Sequence, residues 1–216
     1  MKCNMYVSPV NNIYPTYSKY NVSQINFTGI PKVKSPVGEV VVRTLDIGSY
    51  EGFPAGVLSN FTESHFVLDG KKIYSMEGFL QSLKTSDISE QEITCQLIGY
   101  NAKKVGHKYK KRKGYNPEVV YWNGKEYGRD SVDYRRLLKR AYAAKYKSDS
   151  TFRQALNATK GQVLQHSIGK NSILETILTE KEFVEILTEL RDRNYINKFI
   201  VFMNNLFGRI ISSFQI

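Results

Sequence analysis

Three consecutive pieces of the chain decide its fold: Gly56-Val57-Leu58-Ser59-Asn60-Phe61, then His65-Phe66-Val67-Leu68-Asp69-Gly70-Lys71-Lys72-Ile73-Tyr74, then Ser75-Met76-Glu77-Gly78-Phe79-Leu80-Gln81-Ser82-Leu83-Lys84. In the middle piece two apolar runs flank Asp69-Gly70, a dipeptide that supplies the positive φ of a type I′ turn, so a β-hairpin is expected there. At Ser75 the apolar period changes from two to about 3.6. Ser75 suits an N-cap, and Met76, Phe79, Leu80 and Leu83 fall on one face of a helix running to about Lys84. Glu77, Gln81 and Lys84 then stand at i, i+4 and i+7, which stacks a carboxylate, an amide and an ammonium along the other face. Spacing alone fits an ordinary solvated face as well as a site, and an acidic residue in a first turn also favours the helix dipole.

Upstream, Glu39-Val40-Val41-Val42-Arg43-Thr44-Leu45 reads as a single strand. Residues 1–36, with Pro9, Pro15, Pro31, Pro36 and four tyrosines (Tyr6, Tyr14, Tyr17, Tyr20), read as an extended arm over the body. Downstream, apolar spacing predicts helices at about 89–105, 131–147, 149–157 and 180–193. Residues 194–216, with Ile196, Phe199, Ile200, Met203, Phe207, Ile210 and Phe214, form an amphipathic helix candidate for docking on the core or for self-association. Two cations, Lys198 and Arg209, are few for a membrane-surface helix, so a membrane partner is disfavoured.

With 216 residues, 41% hydrophobic and 24% charged, one core-bearing domain is the default, here residues 37–193. Thirty-one Lys and Arg against twenty Asp and Glu leave a formal charge of +11, which biases the search toward phosphorylated ligands or polyanions. Much of the excess lies in residues 103–113, with seven Lys or Arg, and in Arg135, Arg136, Lys139 and Arg140. Such runs are usually solvated; beside a site they attract phosphate. Cys3 and Cys95 lie far apart without a Cys-x-x-Cys spacing or a Cys/His cluster, which supports neither a structural zinc site nor a disulfide scaffold and suits a reducing compartment. No leader-like or bilayer-length apolar run appears, so a cytoplasmic location is expected.

Leu58-Ser59-Asn60-Phe61, the Asp69-Gly70 turn, Tyr74-Ser75-x-Glu77-x-Phe79-x-Gln81-x-x-Lys84, Ala144-Lys145-Tyr146, Leu156-x-Ala158-Thr159 and Leu187-Thr188-Glu189-Leu190-Arg191 occur in the order and approximate spacing of one family. Over residues 50–193 the chain resembles the NADAR family, in the texture of its bacteriophage-encoded members. The resemblance implies an α+β, mainly α, compact multihelical YbiA-like domain with a small β element near its N-terminal side. For a phage-encoded protein the expected location becomes the host cytoplasm. The resemblance also implies N-glycosidase chemistry: cleavage of a ribosylamino-pyrimidine phosphate, or removal of ADP-ribose from a modified base.

Glu77 is then the catalytic candidate, because a carboxylate beside C1′ stabilises an oxocarbenium-like state and orients or deprotonates water. Asn60 with Phe61 would meet the ribose or base, and Gln81 or Lys84 would orient Glu77 or contact phosphate. Trp122 is a candidate for stacking on a base, against the alternative of a buried strand aromatic. Arg129 is a candidate to join the basic block, and His166 to protonate the leaving base, against the alternative of a structural hydrogen-bonder. The family's Asp-x-x-Trp-Gly stretch has no counterpart in Ser167-Ile168-Gly169-Lys170-Asn171-Ser172. No cofactor and no metal are expected. The expected partner is a phosphorylated ribose or ADP-ribose-type small molecule. Modified nucleic acid and a second copy through 196–216 are the other partner classes considered. Two alternatives to hydrolysis are a module that sequesters such a ligand without cleaving it, and a basic nucleic-acid-binding protein.

Overall fold

In chain order, the elements of the computed structural model are β1 (Lys32–Ser35), β2 (Gly38–Val41), β3 (Arg43–Asp46), α1 (Ala55–Leu58), β4 (Glu63–Leu68), β5 (Lys71–Ser75) and α2 (Met76–Ser82). They continue as α3 (Ile88–Cys95), α4 (Gly99–Lys110), β6 (Val119–Trp122), β7 (Lys125–Gly128), α5 (Val132–Ser148), α6 (Ser150–Ala158) and β8 (Gln162–Gln165). The last helix among the described residues, α7, occupies residues 180–193. The structure describes the backbone of residues 32–35 and 38–41 and the whole of residues 43–193. The expected N-terminal arm, apart from β1 at its end, and the expected 194–216 helix lie outside the described residues. The architecture is α+β and mainly α, as the sequence implies.

Among the described residues, four two-stranded pairs punctuate the helices. The β4–β5 hairpin forms where Asp69-Gly70 predicts it, with φ of +49° and +82° at the two turn residues and Leu68 facing Lys71. Its inward residues Ser64, Phe66 and Leu68 alternate with outward Glu63, His65 and Val67. The hairpin β6–β7 repeats the device with Asn123 and Gly124 at φ +54° and +78°. It adds β structure in the second half of the domain, beyond the N-terminal β element expected. The single strand expected over 39–45 is divided: β2 pairs antiparallel with β1, whereas β3 pairs in parallel with β8. The run has two different partners, so it serves two sheets.

The single helix expected at 89–105 is also two. Gly99 has φ +51°, and Ile98 before it is extended at φ −120°, ψ 139°, so α3 ends and α4 restarts at a new angle. Helices α2, α5 and α6 take their starts from side-chain caps: Ser75, Ser131 and Asp149 accept from Gly78 N, Tyr134 N and Phe152 N. The Ser75 hydroxyl also donates to Leu97 O at 2.8 Å, tying the start of α2 to the α3–α4 break. The core gathers Leu58, Ile73, Met76, Phe79, Leu83, Trp122, Tyr142, Phe152 and Leu187 from every layer. Each such side chain contributes about 1.5–3 kcal/mol by burial.

On α5 the buried positions Tyr134, Leu137, Leu138, Ala141, Tyr142 and Lys145 follow helical spacing, and the last is a cation. Lys145 Nζ is buried without a hydrogen bond and sits 4.4 Å from the Phe152 ring centroid. Burial pulls its pKa down to about 8. A folded-state value below the unfolded one means that folding disfavours the charged form, a cost present in full below pH 8 and relieved as pH rises toward the unfolded value. Lys145→Met is therefore expected to stabilise the protein by about 1–3 kcal/mol at neutral pH. Its advantage in Tm over the native chain should shrink when melting is repeated at higher pH.

Candidate functional site

Gly56 to Phe61 forms a tight corner because Gly56 leaves room that a Cβ would fill: it would lie 2.0 Å from Glu51 O. Thr62 Oγ1 donates to Gly56 O at 2.6 Å, and Ser59 Oγ accepts from Phe61 N at 3.2 Å, which fixes Asn60 at the corner. Asn60 O accepts from Glu77 N at 2.8 Å, and Asn60 Oδ1 accepts from the Tyr142 hydroxyl at 2.7 Å. Asn60 thus joins the first turn of α2 to the buried face of α5, and the two motif pieces separated by the hairpin meet.

Along α2 the i, i+4, i+7 row is a connected chain. Gln81 Nε2 donates to Glu77 Oε1 at 2.8 Å, and Lys84 Nζ donates to Gln81 Oε1. Glu77 is 7% exposed and Gln81 6%, so the solvated-face alternative does not hold. Burial raises the Glu77 pKa, and the Gln81 amide, Lys84 and Lys103 oppose it. Burial, then Lys110, lower Lys84 to about 8, with Glu77 opposing and Lys103 adding.

The basic side chains near Lys84 come from α4, where Lys103, His107 and Lys110 repeat the i, i+4, i+7 spacing. Lys103 Nζ lies 5.4 Å from the Phe61 ring centroid, which brings Phe61 to the same cluster. His107 is lowered by burial and by Lys84, Lys103, Lys110 and Lys111, so neighbouring positive charge opposes its protonation. The two helices approach closely because residue 106 is glycine: a Cβ there would stand 1.7 Å from Gln81 Oε1. Gly106→Ala is expected to displace Gln81, uncouple Glu77 from Lys84 and cost about 1–3 kcal/mol of stability. A urea titration alongside activity measurements checks both effects.

Three candidates stand elsewhere. Trp122 is 1% exposed, packs edge-on against Phe79 at 5.1 Å and donates to Asp69 Oδ2 at 2.8 Å, so it is a core aromatic and no base can stack on it. Arg129 is 1% exposed and gives both terminal nitrogens to Glu182, at 2.8 and 2.7 Å, and Nε to Thr176 O. Its guanidinium ties β7 to α7 and does not join the basic block. His166 Nδ1 lies 2.6 Å from Ile47 O, which makes it the donor, and its ring meets Phe183 edge-on at 5.3 Å. Among the described contacts it reaches Tyr142 through Phe183 and does not touch Glu77.

The basic runs are also sorted by the fold. Residues 103–110 are helical rather than loop, Arg112 is bidentate to Glu90, and Arg135, Arg136, Lys139 and Arg140 pair with Asp130, Asp133, Glu189 and Asp69. Lys103, His107, Lys110 and Tyr142 belong to the cluster and were not singled out individually from the sequence. The spacing on α4 was available, but nothing in it says which face turns toward α2. Among the described residues no three His, Cys, Asp or Glu side chains are grouped to hold a metal ion, and no helix is long and apolar enough to cross a membrane.

Known proteins resemble this chain in sequence and in fold. Residues 52–192 match the family model described as bacteriophage protein GP30.3. An uncharacterized 17.1 kDa protein from the gp30–rIII intergenic region of Enterobacteria phage T4 is 36% identical over 149 residues, covering 68% of this chain and 97% of that protein. The NMR structure of the E. coli protein YbiA superposes with a TM-score of 0.51 at 20% identity, over 72% of this chain and 87% of YbiA, a likeness of fold. This chain belongs to the bacteriophage protein GP30.3 family and is built on a YbiA-like fold.

Proposed function

We propose that the chain is an N-glycosidase that hydrolyses the bond between C1′ of a phosphorylated ribose, or of an ADP-ribose-type group, and the nitrogen of a base or amine. The observation that carries this reading is the buried Glu77 carboxyl, held by Gln81 beneath Asn60 with the charges of Lys84 and Lys103 acting on it, and with His107 and Lys110 around Lys84. As the C1′–N bond breaks, its electron pair leaves with the nitrogen and positive charge develops over C1′ and the ring oxygen. The Glu77 carboxylate stabilises that charge and accepts a proton from the attacking water, whose oxygen bonds to C1′. A proton returns to the departing nitrogen, so ribose gains OH and the base gains H. Asn60, its Oδ1 taken by Tyr142, has Nδ2 left to meet a ribose hydroxyl. The cations on α2 and α4 suit phosphate.

The pH profile follows from these groups. The Glu77 carboxylate is lost as pH falls through a pKa raised above 4.5, and the Lys84 charge is lost as pH rises through about 8. The profile of kcat/KM is expected to be bell-shaped, with its acid limb above the ordinary glutamate range and its alkaline limb near 8. Products are read by mass spectrometry after incubation with N-ribosylamine 5′-phosphates and ADP-ribosylated bases. Release of free base identifies the substrate. Retention of ligand for hours with no product would replace hydrolysis by sequestration.

A further inference from the structure

The outward face of the β4–β5 hairpin carries a feature that the Glu77 chemistry does not use. The ladder slips between Glu63 and Phe66: three residues of β4 advance while β5 steps from Ser75 to Ile73. This bulge leaves an extra residue opposite Tyr74, and bulges re-aim side chains. The His65 ring lies on the Tyr74 ring, centroids 4.4 Å apart and planes within 20°. His65 Nε2 is 2.9 Å from Glu63 Oε1, which holds the ring in place, and the side chain remains 59% exposed. Val67, 57% exposed, extends the apolar floor. The end of α5 supplies a wall with Ala144 and Lys147, and Lys72 stands on the other rim, enclosing an open groove of about 670 Å³. Neither Lys72 nor Lys147 is in an ion pair among the described residues, unlike Lys71, which pairs with Glu92.

A two-ring stack with an exposed member accepts a third aromatic plane, and two unpaired ammonium groups on its rims accept the phosphates flanking that plane. We propose that this groove binds single-stranded nucleic acid, one base continuing the Tyr74–His65 stack and the backbone lying along Lys72 and Lys147. The occupant is a strand rather than a free nucleotide. The groove is open at the surface, and its two unpaired lysines come from separate elements, β5 and the end of α5, which suits successive phosphates of a strand. The start of α6 beside it is already capped by the Asp149 carboxylate, which accepts from Phe152 N and disfavours a free phosphate group there. Every base has a π-face, so the site tolerates sequence.

The test is fluorescence polarisation of a labelled single-stranded oligodeoxyadenylate with the full chain at about 50 mM salt. His65→Ser is expected to weaken binding about tenfold through loss of one stacked base. The double variant Lys72→Glu/Lys147→Glu, at exposed positions that leave the fold intact, should weaken binding and lower the slope of log affinity against log salt by about 1.4. Reversal of the exposed Lys104 and Lys108 on α4, and Glu77→Gln, should have much smaller effects. Abasic backbone and AMP should each bind at least about tenfold more weakly than the strand. Circular dichroism and Tm confirm folding of each variant. The inference is overturned if the oligomer does not bind, if the hairpin variants bind like the native chain, if reversal on α4 alone removes binding, or if abasic backbone or AMP binds as tightly as the strand.

Discussion

Glu77→Gln is expected to lower the rate of C1′–N hydrolysis by about 10³-fold while leaving the protein folded. The substitution keeps the size of the side chain and an oxygen that accepts from Gln81 Nε2, so the row from Glu77 to Lys84 persists. What disappears is the negative charge that answers the developing cation and the base that takes the water proton. Because burial already disfavours that charge, removing it should hold Tm steady or raise it. Activity falling with no loss of Tm separates a chemical role from a structural one. Unchanged turnover of every N-riboside tested would remove Glu77 from the chemistry.

The second large effect is on stability. A Cβ at Gly78 would lie 2.6 Å from Leu97 O and 2.9 Å from both Cys95 O and Thr94 O. Three backbone oxygens at the end of α3 cannot turn aside as a side chain can, so Gly78→Ala must pry α2 from α3. Ser75 would then lose its bond to Leu97 O, and the helix carrying Glu77 would shift with it. A loss of about 3 kcal/mol or more is expected, measured as a fall in the urea midpoint. Gly52→Ala is the control, since a Cβ there meets nothing within 4 Å.

Local chemistry explains which parts were legible. Asp69-Gly70 and Ser75 act through their own backbone and nearest neighbours, so the hairpin and the start of α2 could be read in advance. Asn123-Gly124 carries the same local signal directly after Trp122, and the β6–β7 hairpin forms on it. The Asn60–Glu77–Gln81–Lys84 set was legible as a pattern, and its connectivity required the fold. The roles of Trp122 and Arg129 were not legible, because each depends on a partner fixed only by tertiary packing, Asp69 and Glu182 in turn. The α3–α4 break escaped for a similar reason. Gly99 accepts φ +51°, but a glycine within a helical pattern does not by itself announce a bend.

The parallel pair β3–β8 places Leu45 beside Leu164, and the His166 ring beside Ile47 O, across 119 residues of chain. Contacts of such long range form late and slowly, since a large loop must close before they are rewarded. During synthesis the β4–β5 hairpin and α2 emerge early and find their nearest neighbours at once. β3 must wait for β8, and Arg191 reaches the carbonyls of Thr159 and Gln162 later still. A nascent chain stalled before residue 162 would therefore hold the catalytic candidate without the strand that pairs with β3.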